Sequence, residues 1–416
     1  MKYSIVTFGC RVNQADSLGL EEKLSAAGGI ATAPADADVV VVNTCSVTAT
    51  ADQGARQTIR RIARDNPASR IIVTGCYATR CEEDVAALPN VVRVVRNSDK
   101  DEVVDAWLAR SMSGDGPCGA PLTPGIAGRT AFTLRVQTGC DEPCAYCIIP
   151  STRGPGRSAR VDEIVRDVIR VAAAGFKEIV LTGVHLGSYG RDLPTPLALL
   201  DLLQMLDRLD AEIVFRVSSL EPMDCSPAIV DLIAASGGRF APHFHLPLQH
   251  ASDRVLSTMR RPYTLDFYRS LVDSIRERMP HASIGADMIV GFPGETDRDF
   301  GANLQYLPSS PLTHLHVFPY SDRPGTVAAS MSGKVEGPLV RERGLQLRRI
   351  GAALTARFHE RQAGTLRPAL TIDDGTVAVT DNYLKVRIPP GLGRNQRVMV
   401  RLDENSERGE VVSLEP

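Results

Sequence analysis

Three cysteines lie close together in the segment Cys140-Asp-Glu-Pro-Cys144-Ala-Tyr-Cys147, which we call the CX3CX2C loop. Thiolates bind zinc and iron–sulfur clusters, and a closed structural site of either kind normally uses four protein ligands. Three close thiolates therefore favour a metal centre that keeps one position for a substrate or cofactor. The alternative is a zinc site completed from elsewhere in the chain, for which the candidate ligands are His243, His245 and His250.

A second set of cysteines is dispersed along the N-terminal part of the chain. Cys10, Cys45 and Cys76, which we call the dispersed trio, each follow a short run that is predicted to be a β-strand. The carboxyl ends of the strands of an open parallel sheet share one edge, where ligands characteristically bind. We therefore expect the trio to converge on one crevice, with isolated buried cysteines as the alternative interpretation. The cysteines without such a pattern, expected to be unliganded, are Cys81, Cys118 and Cys225.

The elements that must position these cysteines follow a βα rhythm. Strand-like and amphipathic segments alternate from residue 3 to residue 95, which predicts an open parallel α/β domain. The rhythm continues with six strand-like segments between residues 132 and 318, which predicts a full or partial (β/α)6 barrel. After Gly364, short alternating segments, one pair of them folded about Asp374-Gly375, predict a small all-β barrel.

Composition places the domain boundaries. A Gly-, Pro- and Ser-rich stretch without apolar periodicity is typical of a linker, and an Arg-rich helical stretch closes the second unit. We predict an N-terminal domain at 1–111, a linker at 112–130, a central barrel at 131–363 and a C-terminal domain at 364–416.

The overall composition limits the class of protein. The 416 residues include 43% hydrophobic and 23% charged residues, which is typical of a multidomain globular protein and excludes a mainly disordered one. No run approaches the roughly 20 apolar residues of a membrane span, and no signal peptide is evident, so we expect a cytoplasmic protein without membrane contact. In a reducing compartment, nine cysteines favour metal binding or catalysis over disulfides.

These cysteine patterns and their surroundings resemble the radical S-adenosylmethionine (SAM) enzymes and, more closely, the methylthiotransferases, over essentially the whole chain. The resemblance implies two 4Fe-4S clusters. The CX3CX2C loop would hold the cluster that binds SAM through its fourth iron, and the dispersed trio would hold the second.

Four strings resemble, within that family, the branch that methylthiolates C2 of threonylcarbamoyladenosine at position 37 of tRNA, beside the anticodon. They are TFGCRVNQ at 7–14, VQTGCDEPC at 136–144, LTGVHLGSYG at 181–190 and HVFPYS at 316–321. Sibling enzymes that act on isopentenyladenosine in tRNA or on a ribosomal protein remain an alternative. An alternative of another class is a non-catalytic, zinc-binding RNA protein.

The expected chemistry explains the need for such clusters. The hydrogen at C2 of adenine is not acidic enough for a side-chain base whose pKa lies near the operating pH. The resemblance implies instead that reductive cleavage of SAM provides a radical that abstracts this hydrogen, and that the second cluster presents a methylated sulfur. It further implies an electron donor of the flavodoxin or ferredoxin type, whereas the sulfur donor is not indicated.

Other positions at predicted strand ends resemble the SAM-binding residues of the superfamily. Tyr146 and Ile289 would contact the adenine, and Thr182 with Gly183 would hold the methionine end. Ser219 and Glu221 are candidates for the polar groups of SAM. The carboxyl ends of barrel strands are where such barrels carry their active sites.

The near-neutral net charge of -2 means that tRNA binding must depend on local basic patches. Arginine-rich stretches lie at 53–70, 151–160 and 341–367. The C-terminal domain resembles the OB-like TRAM domains that bind RNA, through the string TDNYLKVR at 380–387, although it is short for one. The segment from Gly154 to Ala159 fits a dinucleotide-binding pattern, but it does not follow a predicted strand, so we expect a surface loop.

Overall fold

The computed structural model describes residues 1–100, 103, 123–125 and 129–414. Cys118 and most of the predicted linker lie outside these residues. None of the helices described is both long and apolar enough to cross a bilayer.

The N-terminal unit is an open parallel sheet with helices on its faces. Its elements are β1 (Lys2–Thr7), α1 (Arg11–Ala26), β2 (Ile30–Ala31), β3 (Val39–Thr44), α2 (Ala49–Asp65), β4 (Arg70–Gly75), α3 (Cys76–Arg80), α4 (Glu82–Ala86) and β5 (Val91–Val95). The strand order is β2-β1-β3-β4-β5, and all the pairings are parallel. Every residue of the central β3 is buried, as expected for a strand covered on both faces. The predicted open α/β architecture is confirmed.

The central unit is a six-stranded partial barrel. Its elements are β6 (Phe132–Arg135), β7 (Gln137–Thr138), α5 (Ile149–Arg153), β8 (Arg157–Ser158), α6 (Val161–Ala173), β9 (Glu178–Thr182), α7 (Leu199–Asp207), β10 (Val214–Val217), α8 (Pro227–Ala235), β11 (His243–His245), α9 (Asp253–Thr258), α10 (Leu265–Arg278), β12 (Ser283–Val290), α11 (Asp297–Tyr306), β13 (His314–Pro319) and α12 (Gly337–Gln362). Two parallel sheets, β6-β9-β10 and β11-β12-β13, are joined by the bridges Phe215–Phe240 and Ser219–His245. This confirms the partial (β/α)6 barrel.

Alternation along β12 separates the two sides of the barrel wall. Ile284, Ala286, Met288 and Val290 pack in the large core beneath the helices. Because successive side chains of a strand point to opposite faces, the odd-numbered residues between them face the barrel interior.

The C-terminal unit is a small antiparallel barrel. It consists of β14 (Leu366–Ile372), β15 (Val377–Thr380), β16 (Lys385–Arg387), β17 (Arg397–Leu402) and β18 (Gly409–Leu414), in the order β16-β15-β14-β17-β18. A bridge between Arg387 and Arg408 brings the two edges together. The first hairpin pairs Ile372 with Val377, so its turn is centred on Asp374-Gly375 as predicted. The all-β architecture is confirmed, whereas the domain boundaries drawn from composition stay predictions.

One segment of the C-terminal unit packs against strands β10 and β11 of the central barrel. The buried Arg216 donates to the backbone carbonyl of Asp381 at 2.9 Å. The ring centroid of Tyr383 lies 4.7 Å from that of His243, and its hydroxyl accepts a hydrogen bond from Arg11 at 2.8 Å. All three units therefore meet at Tyr383.

Candidate active site between two sets of three cysteines

The CX3CX2C loop follows β7 at the carboxyl end of the first barrel strand. Its centre is anchored by the buried Ala145, whose N–H donates to the carbonyl of Met259 at 3.0 Å and whose carbonyl accepts from Ala328 at 2.7 Å. The Cys144 thiol accepts a hydrogen bond from Arg261 at 3.2 Å. Backbone hydrogen bonds on both sides of Ala145 thus fix the conformation of the loop.

The three thiols of this loop influence one another. Burial raises the pKa of Cys147 to about 12, and the charges of Cys144 and Cys140 add to this increase. Burial likewise raises the pKa of Cys144, although the nearby Arg261 opposes it. Ionising all three thiols without a cation is therefore unfavourable, and a bound metal centre is what would stabilise them as thiolates.

The dispersed trio converges at the carboxyl edge of the N-terminal sheet. Cys45 and Cys76 follow directly on β3 and β4 and are buried, whereas Cys10, three residues after β1, is exposed. The pKa of Cys45 is raised to about 11, chiefly by burial, with the charges of Cys10 and Cys76 contributing. The three thiols therefore face one region, at the edge where open sheets bind ligands.

A glycine in a left-handed conformation precedes three of these cysteines. Gly9, Gly75 and Gly139 have φ values of +89°, +101° and +72° and come just before Cys10, Cys76 and Cys140. A Cβ at Gly9 would lie 2.6 Å from the Cys45 Sγ, and one at Gly75 or Gly139 would overlap backbone atoms of Thr44 or Pro155. Glycine is needed here both for the backbone conformation and for the close approach of neighbouring atoms, which at Gly9 include the Cys45 thiol.

The separation of the thiols argues against single zinc ions. A zinc ion with Zn–S bonds of about 2.3 Å would hold its sulfur atoms within roughly 4 Å of one another. Among the described residues, the set of three or more His, Cys, Asp or Glu whose ligand atoms all lie within 4.8 Å is His245, His314 and His316, and neither set of cysteines meets this limit. The cysteines are therefore near enough to interact but too widely spaced for one ion, which fits a cluster of several irons.

Buried charges join the two sets of cysteines. Asp16, on the first turns of α1 after Cys10, is ion-paired with Lys100, Arg135 and Arg153, the last on the helix that follows the CX3CX2C loop. Burial opposes the ionisation of Asp16, but these three cations hold its pKa well below its usual range.

Asn97 forms a second link between the two sets. Its side-chain amide lies 3.5 Å from the Cys76 Sγ and 2.9 Å from the carbonyl of Thr152. One amide group thus contacts a thiol of the dispersed trio and the helix that follows the CX3CX2C loop.

The residues proposed to bind SAM lie around the CX3CX2C loop. Tyr146 and Ile289 belong to the same apolar cluster. Glu221 is ion-paired with Arg261, the residue that contacts Cys144.

The other proposed SAM contacts lie at the ends of neighbouring barrel strands. Thr182 ends β9 and accepts a hydrogen bond from Ser218 at 3.3 Å. Gly183 comes next, and a Cβ there would lie 3.0 Å from the side chain of Gln137. Ser219 is exposed, two residues after the end of β10. These positions share the carboxyl end of the barrel, and their role in SAM binding stays a proposal.

Several residues of the site were not found from the sequence. His185 bonds Asp224 at 2.7 Å; burial opposes its charge, but hydrogen bonds to Asp224 and Cys140 raise its pKa to about 10, which places a cation beside Cys140. Arg153 and Arg261 were missed because no local pattern distinguishes an arginine that pairs within the core from one in solvent. The histidines considered as zinc ligands do not approach the cysteines as a set, since His243 packs on Tyr383 and His250 bonds Asn303.

Known proteins resemble this chain over nearly its whole length. Residues 2–96 match the model of uncharacterized protein family UPF0004, and residues 134–307 match the radical SAM superfamily. The threonylcarbamoyladenosine tRNA methylthiotransferase MtaB of Aquifex aeolicus is 36% identical over 93% of this chain and 96% of its own length. MtaB of Bacillus subtilis is 32% identical over 91% and 88%. A tRNA-2-methylthio-N(6)-dimethylallyladenosine synthase of Chloroflexus aurantiacus is 36% identical over 79% and 71%.

The fold is also similar to that of a solved structure. The radical S-adenosylmethionine methyltransferase TsrM from Kitasatospora setae, determined with cobalamin and a 4Fe-4S cluster bound, aligns with a TM-score of 0.57 at 15% identity, over 79% of this chain and 76% of TsrM. This likeness concerns the fold alone. Given the similarity to MtaB over almost the full chain and the two sets of converging cysteines, the chain belongs to the radical SAM methylthiotransferase family and is of the MtaB type.

Proposed function

We propose that this enzyme replaces the C2 hydrogen of threonylcarbamoyladenosine, at position 37 of tRNA, with a methylthio group. The observation that carries this proposal is the pair of three-cysteine sites, one at the carboxyl edge of the N-terminal sheet and one at the carboxyl end of the first barrel strand, joined by the buried contact of Arg153 with Asp16. The names of two relatives that match over more than nine tenths of this chain support this substrate.

Each set of cysteines fits a 4Fe-4S cluster by donor type, spacing and position. Once bound, the clusters and SAM would supply the radical chemistry and the sulfur-bearing centre that adenine C2 requires. We propose that Cys140, Cys144 and Cys147 hold one cluster and that the dispersed trio holds the other.

The remaining residues of the site orient and shield the reactants. Arg261 and the protonated His185 place positive charge against the Cys144 and Cys140 sulfurs, which offsets the negative charge of the thiolates. Tyr146 and Ile289 form an apolar wall suited to an adenine ring. The buried contacts of Asn97 and Arg153 fix the separation of the two sites, as transfer between them requires.

Basic surfaces on two units would bind the tRNA backbone. Arg60, Arg61 and Arg64 are exposed on α2. Lys385, Arg387 and Arg401 are exposed on the C-terminal barrel. Arginine and lysine on a folded surface bind phosphates largely independently of sequence. In contrast, Arg343 of the Arg-rich helix α12 is buried against Glu295 and serves the fold.

We further propose that the enzyme works in the cytoplasm, where tRNA is modified, and that it receives electrons from a flavodoxin or ferredoxin. Both assignments follow from the proposed substrate and from the reductive cleavage of SAM.

Nucleoside mass spectrometry of tRNA would test the proposal. A strain lacking this gene should lose 2-methylthio-threonylcarbamoyladenosine, accumulate the unmodified threonylcarbamoyl nucleoside, and recover the product when the gene is returned. Loss of the methylthio derivative of isopentenyladenosine instead would assign the sibling activity, which the similarity to the C. aurantiacus synthase makes the second candidate. Unchanged tRNA nucleosides would contradict both.

A further inference from the structure

Three histidines form a compact group inside the central barrel, apart from both sets of cysteines. One ring nitrogen from each of His245, His314 and His316 lies within 4.8 Å of the other two. The ring centroids are 5.4 Å (His245–His316), 5.5 Å (His314–His316) and 6.1 Å (His245–His314) apart. Three imidazoles arranged tetrahedrally around one ion, with metal–nitrogen bonds of about 2.0–2.1 Å, would have centroids on the order of 5 Å apart. The group therefore has nearly the dimensions of a three-histidine metal site.

The strand between the two histidine-bearing strands makes room for the group. His245 lies on β11, and His314 and His316 lie on β13, with β12 between them. Gly285 of β12 pairs with both His245 and His314, and a Cβ at Gly285 would overlap the imidazole of His314. Gly285 does not have a positive φ, so its backbone conformation does not require glycine. A glycine within a strand often marks a close approach of other groups, and here that group is the His314 ring.

Hydrogen bonds orient two of the three rings. The Nε2 of His245 lies 3.0 Å from the Asp287 carboxylate, and the Nδ1 of His314 lies 3.0 Å from the Thr313 hydroxyl. Metal-binding histidines typically use their second ring nitrogen in this way, most often with a carboxylate. Each of these rings therefore has its other nitrogen available for a ligand bond.

We propose that His245, His314 and His316 bind one divalent transition-metal ion within the barrel. Three imidazoles with a nearby carboxylate suit Zn²⁺, Fe²⁺, Co²⁺ or Ni²⁺ rather than Mg²⁺ or Ca²⁺. His316 is the exposed member, so the remaining coordination position faces the barrel interior and is open to water or to an oxygen of the substrate. The site is separate from the cysteines. Ile289 packs next to the CX3CX2C loop, whereas Asp287 and the partner of His245, Gly285, precede Ile289 on β12 and so lie farther from the carboxyl end of the barrel.

Metal binding can be measured without enzyme activity. Cluster-loaded protein is dialysed to equilibrium against micromolar ZnCl₂, and in parallel against CoCl₂, before metals and acid-labile sulfide are quantified per chain. We expect about one bound ion beyond the cluster iron for wild type, and at least a fivefold reduction for His314→Gln and His316→Ala. If iron fills the site on purification, it will appear as about one iron in excess of sulfide and will be lost in the same variants.

The matched control is His281→Ala, which removes an exposed histidine elsewhere on the barrel. It should keep the extra ion. Gly285→Ala keeps all three histidines but displaces the His314 ring, so it should lose the ion while retaining cluster iron and sulfide. An equal metal content of wild type and His316→Ala, or occupancy only at millimolar concentration, would overturn the proposal. Loss of activity without any change in metal would instead make these residues hydrogen-bonding contacts, and would overturn it too.

Discussion

Arg153 places its guanidinium 3.1 Å from the carboxylate of Asp16, and the two side chains are almost completely buried. Arg153 ends the helix that follows the CX3CX2C loop, and Asp16 lies on the helix that begins beside Cys10. The guanidinium also bonds the side-chain oxygen of Asn13, whose amide holds the carbonyls of Phe8 at 2.8 Å and Thr44 at 2.9 Å. A continuous set of buried polar contacts therefore connects the loop to the strand ends that carry Cys10 and Cys45.

Replacing Arg153 should uncouple the two sites. In Arg153→Gln, Asp16 keeps Lys100 and Arg135 as partners, so we expect a loss of up to about 3 kcal/mol in stability, the lower part of the range for a broken buried ion pair. SAM cleavage should continue, while methylthiolated nucleoside formed per 5′-deoxyadenosine released falls at least fivefold. The control is Arg160→Gln, which removes an exposed arginine paired with Asp162. An unchanged product ratio in Arg153→Gln would show that the contact does not position the sites.

The two sets of cysteines should fail in different ways. Cys144→Ala removes a proposed ligand of the SAM-binding cluster, so it should abolish 5′-deoxyadenosine formation. Cys45→Ala should retain part of the cleavage activity but lose the thiomethylated product. Cys225→Ala, which removes a buried barrel cysteine that belongs to neither set, serves as the control and should keep both activities. Normal product from Cys45→Ala would rule out the two-cluster scheme.

The left-handed glycine before Cys10 should be needed for the second cluster. In Gly9→Ala the added methyl group would press on the Cys45 thiol, so iron and sulfide should fall by about half while SAM cleavage persists. Gly19→Ala, on α1 with no atom near its added Cβ, is the matched control and should keep full iron content. Full iron content in Gly9→Ala would mean that Cys45 can move aside without loss of the cluster.

The exposed cations of the C-terminal barrel should contribute to tRNA affinity. Charge reversal of Lys385 and Arg387 removes two phosphate contacts, so we expect binding at low salt to weaken roughly tenfold and its salt dependence to become shallower by about two released ions. The control for net charge is the double reversal of Arg269 and Arg298, which are exposed on the outer helices α10 and α11. Filter binding at several salt concentrations measures both quantities, and equal affinities for the two variants would exclude this surface. Point changes are preferable to removing the unit, because Arg216 depends on its backbone.

Local patterns predicted the parts of the molecule that are set by apolar periodicity. Strand ends, helix faces and the Asp374-Gly375 hairpin could be located because apolar residues recur at the positions that become buried. Val398, Val400 and Leu402 of β17 are an example. The convergence of the dispersed trio followed from the geometry of parallel sheets.

Buried polar groups could not be predicted in the same way. The first helix begins at Arg11, and its first turns bury Asn13 and Asp16 against partners distant in sequence. A polar residue that is satisfied only by tertiary contacts looks like a surface residue in the sequence. The same reason hid Arg261 beside Cys144 and the grouping of His245 with His314 and His316.

The contacts of Tyr383 with all three units limit how the C-terminal unit can be exchanged between proteins. Tyr383 packs on His243 of β11 and accepts a hydrogen bond from Arg11, which follows the proposed cluster ligand Cys10. Its own φ of +73° is strained for a residue other than glycine. A chimera carrying an RNA-binding tail from an unrelated protein would leave this junction unfilled. The C-terminal unit is therefore part of the packing of the other two units, and we expect an exchange to succeed only if the contacts of Tyr383 are replaced.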